Sequence, residues 1–120
     1  MNQDTIQNWT QAELDALLEF INSKHDIESP TIYAVGSRIM GTQTEDSDID
    51  IVLHSNEPFR ILFKGEYDGV PITIYNKHRR QSMNLGKTHW PYYDMLTHVL
   101  YDQDDRDRSA IIRIEREEEI

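Results

Sequence analysis

The sequence predicts an α/β (α+β) domain: a small mixed β-sheet of about four to five strands with helices packed on it. Three observations predict it. Apolar residues recur first at helical spacing and then at strand spacing along one chain, which is the pattern of a mixed fold. Breakers separate the segments, Pro30 after the first helix and Asp68-Gly69 between two β-rich runs. A length of 120 residues is enough for one hydrophobic core without staples and too short for two, so residues 1–120 are read as a single domain.

The first element is a helix from about Gln11 to Asn22. Thr10 and Glu13 have the spacing of a capping box, and Trp9 with Leu14 that of a hydrophobic staple. Leu14, Leu17, Leu18 and Ile21 share one face, which should pack on the sheet. Thr31 to Val35 read as a short strand ended by Gly36. Ser37 to Met40 look like one helical turn closed by Gly41. Asp48 to His54 form a second strand with Ile49, Ile51 and Leu53 on one face. Arg60 to Tyr67 and Val70 to Tyr75 form a hairpin through Asp68-Gly69. Asn76 to Leu85 are expected to be helical at first and then loop. A break at Trp90-Pro91 precedes a short helix near Tyr92 to Leu96, His98 to Tyr101 offer a last strand, and Asp107 to Glu118 are expected to be a C-terminal helix with Ala110, Ile111 and Ile114 inward.

Composition narrows the function classes. Cysteine is absent, which excludes a disulfide framework, a thiolate zinc site and a cysteine nucleophile, and agrees with a reducing cytoplasm. No apolar run approaches the roughly 20 residues that cross a bilayer, and Met1-Asn2-Gln3-Asp4 lacks the form of a signal peptide. The expectation is a cytoplasmic protein with no membrane partner. The net charge of −10, from 22 acidic and 12 basic side chains, repels nucleic-acid backbones and steers basic partners inward, so nucleic acid is not expected as a broad ligand. Lys77-His78-Arg79-Arg80 is the one basic cluster and reads as a solvated helix start. His25, His54, His78, His89 and His98 are scattered without metal-ligand spacing. Trp90, Tyr92 and Tyr93 read as core or rim aromatics ahead of base-stacking groups.

The chemistry is concentrated between Ala34 and Leu53. Side chains two apart on a strand point to one face, so Asp48 and Asp50 project together while Ile49 and Ile51 face the core. Two such carboxylates repel, and a hard divalent cation removes the repulsion. Magnesium, or manganese in its place, suits the oxygen donors and completes its shell with water and substrate phosphates. One ion, or two about 3.5–4 Å apart, then clamps an attacking and a leaving oxygen. Gly36-Ser37 form the other half. A glycine after a buried strand allows a sharp turn and close approach, and the helical turn that follows offers free N–H groups to an anion. Ser37 adds a hydroxyl. Arg38 reads either as a phosphate contact or as a surface arginine. Glu45, Asp46 and Ser47 read as a solvated loop and cap.

Gly36-Ser37, a spacer and then Asp48-Ile49-Asp50 resemble the signature of the nucleotidyltransferase fold related to DNA polymerase beta. The string Gly-Ser-Arg-x-x-Gly-x-x-x-x-x-Ser-Asp-Ile-Asp, residues 36–50, is similar to the minimal nucleotidyltransferases, which include antitoxin-type domains and aminoglycoside nucleotidyltransferases. His98-Val99-Leu100-Tyr101-Asp102 resembles the hydrophobic-Leu-Tyr-Asp strand that often follows. The resemblance implies that Gly36 and Ser37 bind the nucleotide, a set to which the residue pattern adds Arg38 as a candidate, and that Asp48 and Asp50 are catalytic and bind magnesium. It implies attack of an acceptor hydroxyl on the α-phosphate of a nucleoside triphosphate with release of pyrophosphate, so a nucleoside monophosphate, AMP from ATP first among them, passes to a protein, RNA or small molecule.

Two departures bear on activity. Active members carry a third carboxylate on a later strand, and the matching face of Val70 to Tyr75 offers Thr73, a poor magnesium ligand and no base near neutral pH. Of the substitutes, Glu66 and Asp68 are nearby but belong to the hairpin's turn region, and Asp94 would have to approach from the later helix. Little follows Asp102, so the acceptor site is expected to be shallow, shared with a partner protein or completed by homo-oligomerisation. The alternative function is a catalytically degenerate binding module, antitoxin-like or a regulatory subunit.

Overall fold

The computed structural model describes residues 4–44, 46–80 and 92–101, with the side chain of Met40 excepted. Helix α1 spans Gln11–Asn22. Its start is fixed by the reciprocal cap: the Glu13 amide donates to Thr10 Oγ1 at 3.2 Å and the Thr10 amide to Glu13 Oε1 at 3.0 Å. Trp9 and Leu14 on either side of that cap are both buried. Leu14, Leu17 and Ile21 face the sheet, as the spacing predicts, and Leu18 is partly buried beside them.

The strands are β1 Thr31–Val35, β2 Ile49–Ser55, β3 Arg60–Tyr67, β4 Val70–His78, β5 Tyr92–Asp94 and β6 Val99–Tyr101. They form one sheet in the order β3-β4-β2-β1-β5-β6. β2 and β4 run parallel and every other neighbouring pair is antiparallel. The β3–β4 hairpin turns on Asp68 and Gly69 at φ 51° and 80°, the left-handed pair that a two-residue hairpin needs. Between β1 and β2 lies α2, Ser37–Met40, closed by Gly41 at φ 81°.

Period-two alternation divides the sheet's side chains between two faces. Ile32, Ala34, Ile49, Ile51, Leu53, Val70, Ile72 and Ile74 bury against α1 in the main core. Tyr33, Val52, Tyr92 and Tyr101 cluster on the other face, which also carries Asp50 and Thr73.

The mixed α+β architecture is the expected one, with six strands where about four to five are expected. The sixth arises where a short helix is expected near Tyr92 to Leu96. Tyr92–Asp94 instead pair with β1, Tyr33 opposite Asp94 and Ala34 opposite Tyr93. Asp94 Oδ1 accepts the amides of Leu96 at 2.9 Å and Thr97 at 3.1 Å, which turns the chain back into β6. Asn76 also continues a strand in place of starting a helix. Leu53, His54 and Ser55 pair with Asn76, Lys77 and His78, and the buried Asn76 amide donates to the carbonyls of Glu57 and Pro58 at 2.9 and 3.0 Å. Lys77, expected on a solvated helix, is therefore fully buried on a central strand. The expected loop beyond Arg80, the Trp90-Pro91 break and the Asp107–Glu118 helix lie outside the described residues.

Candidate functional site

Gly36 joins β1 to α2 at φ 87°, ψ −162°, a conformation that side chains disfavour. A side chain there would also crowd the Asp50 carboxylate. A Cβ on Gly36 would stand 2.8 Å from Asp50 Oδ2. The cause is the register: Val35, the last residue of β1, is opposite Asp50 on β2, so the chain leaving β1 turns directly over the Asp50 carboxylate. The sheet thus brings Gly36 and Asp50, 14 positions apart in sequence, into contact.

Ser37 opens α2. Its carbonyl accepts the amides of Gly41 and Thr42 at 3.1 and 3.2 Å, and the Ile39 amide donates to the Gly36 carbonyl at 3.0 Å. The buried Ile39 anchors the turn in the main core. The first amides of such a turn have no acceptor within it, and Ser37 is only half-buried, so the turn presents donors beside Asp50.

Asp48 is exposed immediately before β2, and Asp50 is half-buried within it. Burial, and after it the neighbouring Asp48 charge, push the Asp50 carboxyl above the usual aspartate value of 3.8. Asp48, expected as the first residue of that strand, lies just outside it, since β2 begins at Ile49. Arg38 is not a surface arginine. It is fully buried, and its Nε and Nη2 both donate to the Ser47 carbonyl, at 3.1 and 2.9 Å. Burial lowers its pKa, and the Asp48 charge works in the opposite direction. Ser47 closes the loop before Asp48: its hydroxyl accepts the Thr44 amide at 2.8 Å and its own amide donates to the Thr44 carbonyl at 3.1 Å.

Thr73 is the Cα partner of Asp50 across the parallel β2–β4 pair, the position from which a third carboxylate would reach the pair. The sequence substitutes do not supply one. Asp94 is on β5, buried, with Oδ1 engaged by two turn amides. Glu66 is opposite Pro71 on β3, and Asp68 is in the hairpin turn. Among the described residues no group of three His, Cys, Asp or Glu side chains is placed to hold a metal ion.

One neighbour of the site is not singled out by the sequence. Tyr75 lies on the same face, two residues past Thr73. Burial and then the Asp50 charge raise its phenol pKa above 10.0, and Phe59 lies against its ring at 6.0 Å between centroids. Strand periodicity counted from Thr73 is the signal that could have found it. Tyr92 and Tyr93 are buried, in agreement with the core reading. The histidines described do not converge: His54 is edge-on to Tyr33, and His98 Nδ1 pairs with the Tyr93 hydroxyl at 3.1 Å.

The pair of hard oxygen donors fits a cation that brings water or phosphate oxygens for its remaining positions. The like-charge strain between Asp48 and Asp50, with the donor-bearing turn at van der Waals range of Asp50, is what such an ion and an anionic tail would relieve. No helix among the described residues is long and apolar enough to cross a membrane. Comparison with the curated proteins gives no match, and neither does comparison with the solved structures. The family model of the nucleotidyltransferase domain matches residues 14–119, nearly the whole chain and all of the site just described, and the protein belongs to that family.

Proposed function

We propose that the protein transfers a nucleoside monophosphate, AMP from ATP first among them, to an acceptor hydroxyl in a magnesium-dependent reaction in the cytoplasm. The observation that carries this reading is the contact between the Gly36 turn and Asp50, with Asp48 in electrostatic reach. Gly36 and Ser37 hold the terminal phosphates through backbone amides and the Ser37 hydroxyl. Asp48 and Asp50 hold the cation, which supplies charge neutralisation at the phosphates when bound. The acceptor oxygen attacks the α-phosphorus, the bond from that phosphorus to the bridging oxygen breaks, pyrophosphate leaves and the hydroxyl proton passes to solvent. The chain's contribution is orientation and placed charge, the terms that dominate phosphoryl-type transfer. The test is incorporation of α-phosphate label from ATP into acceptors in a lysate, with pyrophosphate release as the second readout. Asp48→Asn/Asp50→Asn is expected to lower both by about 10²–10³-fold or more. Equal signals from both proteins would refute the assignment.

A specific observation favours a second reading, the degenerate binding module: Thr73 stands where the third carboxylate would be. Under that reading a partner protein binds equally to wild type and the double aspartate variant, and no label is transferred.

A further inference from the structure

Asp50 and Asp48 are held in different ways. Asp50 sits inside the sheet, paired with Val35 on one side and Thr73 on the other. Asp48 precedes β2 and belongs to no ladder pair. Its position needs another anchor, and Arg38 supplies one. Among the described residues Arg38 has the largest of the fully buried side chains, and two of its donors converge on a single acceptor, the Ser47 carbonyl. That carbonyl belongs to the peptide bond whose nitrogen is the Asp48 amide, so the fork fixes the peptide plane from which Asp48 departs. Because Arg38 is also the second residue of α2, the same side chain ties the Gly36-Ser37 turn to the metal-ligand loop.

Other features point away from a role in stability alone. Arg38 Nη1 is buried with no hydrogen-bond partner among the described residues. A buried, incompletely satisfied guanidinium is a poor device for stabilising a fold, since apolar replacements of buried charges are often neutral or better. Full burial also keeps the guanidinium from a phosphate bound at the surface of the turn.

We propose that Arg38 is a positioning residue, which sets Asp48 opposite Asp50 by clamping the Ser47–Asp48 peptide and does not itself touch the nucleotide. The proposal rests on the magnesium-and-nucleotide reading of the site. Residues that orient metal ligands from behind commonly change metal affinity by about 10–100-fold when replaced.

The experiment is calorimetric titration with ATP, once in excess magnesium and once in EDTA, on the wild type, Arg38→Met and Arg38→Lys, with a thermal melt of each. Arg38→Lys keeps a charge but loses the planar fork, so it carries the test should Arg38→Met not fold. The expected result is that each variant loses about 10–100-fold of the affinity gained from magnesium, while affinity for ATP in EDTA stays at the wild-type value. A fall of both affinities together, with or without a lowered Tm, would mean a direct phosphate contact or a general structural role and would overturn the inference. So would magnesium-dependent affinities equal to wild type. A wild type that gains nothing from magnesium would instead refute the reading of the site on which the inference stands.

Discussion

At the scale of single residues, Asp50 carries a conflict between folding and its proposed role. Burial, and after it the Asp48 charge, raise its carboxyl pKa in the folded protein above the unfolded value of 3.8. A raised carboxyl favours the fold where it is protonated. That contribution is complete below the unfolded pKa and is lost as pH rises through the folded one. At neutral pH the ionised Asp50 therefore costs stability in the metal-free protein. Asp50→Asn should raise the Tm at pH 7, on the order of a few degrees for a chain of this size, and the difference should shrink in acid. A lower Tm for the variant would show that the carboxylate is a structural hydrogen-bonding group and not a strained one.

Gly36 is the other residue whose identity is dictated. Gly36→Ala must tolerate φ 87° and a Cβ 2.8 Å from Asp50 Oδ2. Left-handed strain of this kind costs about 1–3 kcal/mol, and the displaced carboxylate should lose its place over the turn. Chemical denaturation should show the destabilisation, and ATP binding should fall with it. An unchanged midpoint and unchanged binding would mean that the turn relaxes freely.

At the scale of elements, the parallel pairing of β2 with β4 decides which side chain stands beside Asp50 in the proposed site. It places Thr73 beside Asp50, so one substitution tests whether the missing ligand limits activity. Thr73→Asp is expected to tighten magnesium-dependent ATP binding and raise transfer by about tenfold or more, since the added carboxylate completes the donor set. Pyrophosphate release measures it. No gain would place the limitation elsewhere and favour the binding-module reading.

The same scale explains what was legible in the sequence. α1 could be read because its cap, staple and helical stripe are all local: Thr10, Glu13, Trp9 and Leu14 lie within six consecutive residues. The Asp68-Gly69 hairpin could be read because that dipeptide tolerates the φ values the turn demands. The placement of Thr73 on the face of Asp50 followed from counting alternate residues along Val70 to Tyr75. The extension of β4 to His78 and the strand at Tyr92–Asp94 were not legible, because tertiary partners create them. Leu53 to Ser55 recruit Asn76 to His78, and β1 recruits Tyr92–Asp94. The burial of Arg38 was hidden for a related reason. Arginine is mostly an exposed residue, and nothing local announces that the Ser47 carbonyl will fold back over α2.

At the scale of the whole molecule, the sheet works as a scaffold with unequal faces. One is sealed by α1 and the aliphatic core, which stiffens β1, β2 and β4 from behind. The other holds Asp50 and Thr73 beside a tyrosine-rich cluster. The net charge of −10 surrounds a site that is itself acidic, so under the proposed function a polyanionic tail is expected to enter together with a cation. Under the proposed function, nucleotide affinity is therefore tied to magnesium, and metal dependence is its most direct probe. The decisive measurement is calorimetric titration of ATP into wild type and Asp48→Asn/Asp50→Asn, with and without magnesium. The account predicts saturable binding to the wild type that strengthens at least tenfold with magnesium, and loss of that gain in the double variant. Magnesium-independent binding of equal strength to both proteins would contradict it.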